Sequence, residues 1–216
     1  MNWSCGEARS DGIPQMKLLF QGDSVTDCGR DRGQSDHSGT GYVAMIARAL
    51  INSGETVLNK GVSGDRVRDL EARWDDDCVS IRPDVLTILI GINDVWRQFD
   101  SGMKFDPEVF ELIYQRLIDR AAPAAGRVIL MEPFLIPAAP DKEPMRPLVD
   151  SVIQIIRTVA RRNRLAYVPL DGLFAAACCA APPAHWAEDG VHPSPAGHRL
   201  IADAWLGTYQ NHTPSS

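Results

Sequence analysis

The sequence predicts a single-domain α/β protein, a three-layer α/β/α sandwich with a five-stranded parallel sheet. Short apolar segments alternate along the chain with longer segments of helical periodicity, an order typical of parallel sheets covered by helices on both faces. The short segments are continuously apolar, as expected for strands buried on both sides. The 216 residues, 44% hydrophobic and 23% charged, fit one globular domain of ordinary composition.

Five short apolar segments are predicted to form the strands, and three of them are rich in Val and Ile. In chain order they are Lys17–Gln21, Thr56–Asn59, Val85–Ile90, Arg127–Met131 and Ala166–Pro169. Five helices are predicted around them: Tyr42–Ile51, Arg66–Val79, one with Asp106 as N-cap and Pro107 at its first position, one carrying Met145 to Ala160, and one beginning at Ser194-Pro195.

The domain is expected to span residues 16–209, between a flexible N-terminal tail (1–15) and a C-terminal tail (210–216). The first fifteen residues hold Glu7, Arg9, Asp11 and Pro14 and no apolar run, so no secretory signal is predicted. No segment approaches the ~20 apolar residues of a membrane-spanning helix. The five cysteines form no C-x-x-C pair, which favours reduced thiols and a cytoplasmic location.

The net charge of −6 argues against nucleic acid, an anionic membrane or a polyanionic substrate as the main partner. A neutral small molecule or sugar fits this charge. The chain has neither a G-x-G-x-x-G nor a G-x-x-x-x-G-K-[ST] loop, and no cofactor is expected. No metal site is expected either, because consecutive helical residues such as Asp75, Asp76 and Asp77 diverge by about 100°. His198 is interpreted as structural.

Residues suited to acyl transfer follow the first three predicted strands. Ser24 follows the first strand beside a glycine and can project its hydroxyl into a cleft. Gly64 follows the second, where its backbone N–H can approach an oxyanion. Asn93 follows the third, and its amide is a neutral donor. Taken singly, each has an ordinary alternative, a helix cap for Ser24 or Asn93 and a turn for Gly64.

A fourth element of the pattern precedes the last predicted helix. Asp189 and His192 are three residues apart, a spacing that lets the carboxylate reach Nδ1 of the imidazole while Nε2 accepts a proton from a hydroxyl. Because ligands bind at the carboxyl edge of parallel sheets, we expect these groups to converge there. Ser24, His192 and Asp189 are the expected catalytic residues. Ser24, Gly64 and Asn93 are expected to form the oxyanion hole.

The chain resembles the SGNH (GDSL) hydrolase superfamily on four blocks that occur in order. They are Gly22-Asp23-Ser24-Val25, Gly64, Gly91-x-Asn93-Asp94 and Asp189-x-x-His192. Val25 replaces the leucine of the family name, a conservative change. The resemblance covers about Lys17 to Leu206 and implies the flavodoxin-like SGNH hydrolase fold with a serine esterase activity.

A narrower resemblance is to bacterial acetylxylan esterases of that superfamily. It rests on the runs Thr26–Arg30, Gly39–Ala44, Val67–Leu70 and Asn93–Arg97. It implies deacetylation of xylo-oligosaccharides or related carbohydrates through an acyl-enzyme, often inside the cell and by a homo-oligomer.

Four residues are expected to contact the substrate: Asp23, Trp96, Trp186 and Arg66. Trp96 and Trp186 either form an aromatic surface for a sugar ring or pack in the core. Arg66, like Arg97, either lines the cleft or lies on the solvated surface.

Two other functions remain open from the sequence. A lipid-type acyl hydrolase, such as a thioesterase or lysophospholipase, would need a long apolar channel. A non-catalytic flavodoxin-like binding module, with Asp23 as a phosphoacceptor, would leave Gly64, Asn93 and the Asp189–His192 pair without a joint purpose.

Overall fold

The structure is a computed structural model that describes residues 16–34 and 37–211. Its centre is one sheet of five parallel strands in the order β2-β1-β3-β4-β5, which confirms the predicted class. The strands are β1 (Lys17–Gly22), β2 (Thr56–Asn59), β3 (Val85–Leu89), β4 (Arg127–Met131) and β5 (Ala166–Val168). Each agrees with its predicted segment to within one residue.

Helices cover both faces of the sheet. They are α1 (Ser24–Asp27), α2 (Tyr42–Ala49), α3 (Val67–Ala72), α4 (Ile92–Asp100), α5 (Pro107–Ala121), α6 (Arg146–Asn163), α7 (Leu170–Cys178), α8 (Pro183–Trp186) and α9 (Pro195–Asn211). A π-helical turn spans Asp75–Val79 and a 3₁₀ turn spans Pro140–Met145. The single helix predicted over Arg66–Val79 was wrong, because α3 ends at Ala72 and the π turn follows it.

Strand residues alternate between two cores, one on each side of the sheet. On β1, Leu19 packs into the core formed with α3, α4, α5 and α6. Its neighbours Leu18 and Phe20 pack into the opposite core, formed with α2, α7 and α9. This alternation follows from the period of two along a strand and produces the three layers.

The strand order reverses direction between β1 and β3. The chain moves from β1 outward to β2 on one side, then returns to β3 on the other, and Gly22 lies in register with Leu89. Crevices at such switch points hold the ligands of open α/β sheets. The loops after β1 and β3 therefore meet where a site is expected.

The last helix ends close to residue 209, the expected end of the domain. Helix α9 continues to Asn211, so Gln210 and Asn211 are helical. The tail predicted over residues 1–15, and residues 212–216, lie outside the described residues. Within the described part of the chain, no helix has the length and apolar character needed to cross a bilayer.

Candidate active site

Ser24, His192 and Asp189 form a continuous hydrogen-bonded chain at the carboxyl edge of the sheet. Ser24 Oγ lies 2.9 Å from Nε2 of His192, and Nδ1 of the same imidazole lies 2.7 Å from Oδ2 of Asp189. Ser24 and His192 are 168 residues apart in the chain, so only the fold brings them together. The sequence prediction grouped these three residues, and the structure places them in contact.

The protonation of this chain follows from the environment of Asp189. Its Oδ1 accepts hydrogen bonds from the backbone N–H groups of Val191 and His192, at 2.9 and 2.7 Å. These contacts and the imidazole hold the carboxyl pKa far below its usual range, although partial burial opposes this. An ionised Asp189 only accepts, so Nδ1 carries a hydrogen and Nε2 faces Ser24 with its lone pair. The same carboxylate raises the pKa of His192.

The turn after β1 projects Ser24 out of the sheet edge. Ser24 is the first residue of α1, and Asp23 caps that helix by accepting from Val25 N–H at 3.0 Å. A Cβ at Gly22 would lie 2.3 Å from Thr26 Oγ1, so the turn requires glycine there.

Asp23 was expected to contact substrate, and the structure gives it a different place. The residue is only 2% exposed and lines a small pocket with Val25, Leu89 and Val191. Burial raises its carboxyl pKa to about 7. The contact that the structure shows for this side chain is the cap of α1.

Asn93 contacts the loop segment that contains Gly64. Gly64 has φ +88°, a conformation that favours glycine. The Asn93 side-chain amide donates to the carbonyl of Asp65 at 3.0 Å, which ties the first turn of α4 to the loop after β2. Among the hydrogen bonds of residues 16–34 and 37–211, none uses the N–H of Ser24 or of Gly64. These two N–H groups and the second hydrogen of the Asn93 amide remain available to an anion.

Two polar side chains hold this loop: Arg73, which sequence reasoning did not single out, and Asp94 of the block Gly91-x-Asn93-Asp94. Arg73 donates to Asp65 Oδ2 at 2.8 Å and to Gln21 Oε1 at 2.9 Å, and so connects the loop with β1. Asp94 accepts from Val67 N–H at 3.0 Å. The spacing of Arg73 and Asp77, four residues apart on a predicted helix, was the one available signal for Arg73.

Trp96 is the expected substrate-contact residue that lies beside the imidazole. Its ring centroid is 5.9 Å from that of His192, with the planes tilted by 48°. The ammonium of Lys142, from the 3₁₀ turn, lies over the same ring, 5.1 Å from its centroid.

Arg66 and Trp186 each line a surface cavity. Arg66 forms a paired contact with Asp69 at the start of α3 and borders a cavity of about 340 Å³, together with Arg97 and Phe105. Trp186 lines a separate groove with Leu173 and Leu200. Trp186 is the last residue of α8 and faces α7 and α9 across this groove.

The residues interpreted as structural have structural contacts. His198 accepts from Tyr42 N–H at 3.2 Å, and burial lowers its pKa to about 4. Asp75 pairs with Arg120, whereas Asp77 pairs with Lys60 and Arg73. The side chains of this acidic run therefore point to different partners, as their helical spacing predicts.

The parallel sheet and the hydrogen-bonded serine, histidine and aspartate at its carboxyl edge are those of serine-dependent α/β hydrolases. Residues 20–200 match the GDSL-like lipase/acylhydrolase family. The chain belongs to this family.

Relatives are similar over most of their length. An acetylxylan esterase of Geobacillus stearothermophilus is 40% identical over 202 residues, which cover 88% of this chain and 92% of that one. A structure of the acetylxylan esterase Axe2 from that organism, a catalytic mutant with serine replaced by alanine, superposes with a TM-score of 0.83 at 38% identity, covering 89% and 93% of the two chains. Other Axe2 structures are catalytic mutants with a histidine or an aspartate replaced. LAE5, an alpha/beta hydrolase from the Lake Arreo metagenome, matches with a TM-score of 0.83 at 37% identity, covering 90% and 95%.

Proposed function

We propose that this protein is a carboxylic ester hydrolase that removes acetyl groups from xylo-oligosaccharides through an acyl-enzyme on Ser24. The observation that carries the chemistry is the unbroken chain from Ser24 Oγ through His192 to an ionised Asp189, at 2.9 and 2.7 Å. The choice of substrate is supported by the similarity to the acetylxylan esterase, which extends over 88% of this chain.

The reaction begins when Ser24 Oγ attacks the acetyl carbonyl and Nε2 of His192 takes the hydroxyl proton. The resulting oxyanion accepts hydrogen bonds from the N–H groups of Ser24 and Gly64 and from the Asn93 amide. His192 then protonates the departing sugar oxygen, which leaves acetyl-Ser24. Water attacks this ester by the same steps in reverse, and acetate is released.

Asp189 stabilises the imidazolium in both halves of this cycle. Its charge faces the ring at 2.7 Å while two backbone N–H groups hold its other oxygen. The imidazole therefore keeps its orientation when it gains and loses the proton.

Replacement of the nucleophile tests the proposal directly. Ser24→Ala should lower kcat on p-nitrophenyl acetate by about 10³-fold or more, because no acyl-enzyme can form. It should also abolish covalent labelling by a fluorophosphonate. Ser53→Ala, an exposed serine in the turn before β2, is the matched control and should behave as the parent. Parent-like activity in Ser24→Ala would refute the assignment.

Substrate choice is tested separately. Acetate release from acetylated xylo-oligosaccharides should exceed release from acetylated pectic and chitin-type sugars. A preference for p-nitrophenyl esters of eight or more acyl carbons would instead favour a lipid-type acyl hydrolase.

We propose in addition that residues 16–209 form the catalytic domain, and that the protein acts in the cytoplasm as a homo-oligomer. Support for the location comes from the cysteine usage, and support for the oligomer comes from the resemblance to acetylxylan esterases. Size-exclusion chromatography with light scattering tests the assembly, and a mass equal to that of the monomer would contradict it.

A further inference from the structure

The segment between β4 and α6 places a lysine over the active-site tryptophan. Lys142 lies in the 3₁₀ turn Pro140–Met145, which is anchored by the buried side chain of Met145. The Lys142 side chain is only 12% exposed, although lysine is rarely enclosed without a strong partner. The ammonium is thus held at the site and is not extended into solvent.

The partners of this ammonium within the described chain are weak. Its one ion pair is with Asp141, at 3.4 Å, and the carboxylate side chain is 75% exposed. Its other contact is the face of Trp96, 5.1 Å from the ring centroid. An ammonium has three hydrogens to donate, and these two contacts leave most of that capacity unused.

The ammonium also lies on the side of the site where the alcohol part of the ester must be. Trp96 links it to the imidazole, because the Trp96 ring is 5.9 Å from His192. In the proposed mechanism the acetyl oxygen is bound by the oxyanion donors of Ser24, Gly64 and Asn93. The group that receives a proton from His192 is the alcohol oxygen, so the rest of the alcohol extends past His192 and Trp96.

We propose that Lys142 binds the alcohol part of the substrate by donating hydrogen bonds to hydroxyl or ring oxygens next to the ester. The residue determines specificity for esters of polyhydroxy alcohols, such as acetylated sugars. This inference rests on the proposed esterase function, and it adds a residue outside the four sequence blocks.

The test compares two substrates in the intact protein at pH 8. Lys142→Met keeps the length and apolar stem but removes the donors and the charge. It should lower kcat/KM for acetylated xylo-oligosaccharides by about tenfold, mainly through KM, since one hydrogen bond to a charged group is lost. The kcat/KM for p-nitrophenyl acetate should stay within about twofold of the parent value, because the p-nitrophenol part of that ester has no neighbouring hydroxyl. Lys142→Arg, which retains donors and charge, should recover part of the loss.

Asp141→Asn is the matched control. It removes the charge of the only carboxylate paired with Lys142 among the described residues, and both substrates should be hydrolysed as by the parent. Equal losses on both substrates in Lys142→Met, or no loss on either, would overturn the proposal and leave Lys142 as a structural contact of Trp96.

The pH dependence of kcat/KM separates the two interpretations, because it would not change if Lys142 were only a structural contact. The charged groups facing His192 are Asp189, Asp23 from the start of α1 and Lys142 from the 3₁₀ turn. The lysine lowers the pKa of His192, and the two carboxylates raise it. In Lys142→Met the acidic limb of kcat/KM for p-nitrophenyl acetate should therefore move to higher pH, and an unchanged limb would count against the placement.

Failure of the proposed function is distinguishable from failure of this inference. Labelling of Ser24 and turnover of p-nitrophenyl acetate report the esterase chemistry alone. If the parent hydrolyses these but not xylo-oligosaccharides, the Lys142 comparison is made on an acetylated polyol that it does hydrolyse and that keeps free hydroxyls next to the ester, such as glycerol monoacetate.

Discussion

At the scale of single residues, the charge of Asp189 determines which nitrogen of His192 faces Ser24. Two backbone N–H groups and the imidazole Nδ1–H all donate to this carboxylate. An amide at position 189 could preserve the shape of the contact while its own N–H donors favour the other tautomer. Nε2 would then carry a hydrogen and could not accept one from Ser24.

Asp189→Asn should consequently remain folded and lose about 10³–10⁴-fold in kcat on p-nitrophenyl acetate. The same change should shift the acidic limb of the pH profile to lower pH, because the carboxylate raises the pKa of His192 in the parent. The measurement is kcat/KM from pH 5 to pH 9. Asp203→Asn, which removes an exposed carboxylate paired with Arg199, serves as the control. A loss below tenfold would show that Asp189 is not the orienting group.

The site residues that could be predicted from the sequence are those with a short spacing or a place directly after a strand. Asp189 and His192 are three residues apart, and Ser24, Gly64 and Asn93 each follow a strand, so their convergence follows from the parallel sheet. Arg73 and Lys142 were missed because their contacts depend on tertiary packing. Arg73 reaches Gln21 across 52 positions, and no local pattern encodes that distance.

At the scale of elements, the site depends on how the loop after β2 is fixed by its neighbours. Helix α4 holds it through Asn93, bound to the Asp65 carbonyl, and through Asp94, bound to Val67 N–H. Arg73 of the segment after α3 holds it from the other side. No helix was predicted after β3, because the polar Asn93-Asp94 pair disguised a helix whose buried apolar residues are Ile92 and Val95.

Gly64 lies in this fixed loop, and its backbone N–H is the group proposed to bind the oxyanion. Gly64→Ala places a side chain at φ +88°, which strains the backbone by about 1 kcal/mol or more. Space is not limiting, since the closest atom to a Cβ there would be an Arg97 nitrogen at 3.7 Å. The expected result is a modest loss of stability together with a loss of about 10²-fold in kcat, as the Gly64 N–H turns away from the oxyanion.

Gly54→Ala is the matched control for that variant. Gly54 has φ +85°, and a Cβ there would meet nothing within 4 Å. Urea unfolding should show similar destabilisation in both variants, whereas kcat should fall only in Gly64→Ala. Equal activities would show that the N–H of Gly64 does not bind the oxyanion.

At the scale of the whole molecule, two buried groups make stability respond to pH in opposite directions. Burial raises the pKa of Asp23 to about 7 from an ordinary 3.8. It lowers the pKa of His198 to about 4 from 6.5. The folded protein therefore holds an extra proton on Asp23 between pH 4 and 7, while the unfolded chain holds an extra proton on His198 between pH 4 and 6.5.

Asp23→Asn isolates the first of these contributions, because asparagine is an equally good N-cap and does not titrate. In the parent, the contribution of Asp23 is fully present below pH 4 and is lost as pH rises through about 7. Relative to the parent, the variant should gain about 2 kcal/mol of unfolding free energy between pH 5 and pH 7. The titration of His198 is common to both proteins and cancels in the difference. Urea unfolding at the two pH values measures this gain. If the difference in unfolding free energy between variant and parent stays constant with pH, Asp23 is already ionised in the folded protein at pH 5. The carboxylate would then be stabilised by solvent or a cation, and not enclosed by the apolar side chains of Val25, Leu89 and Val191.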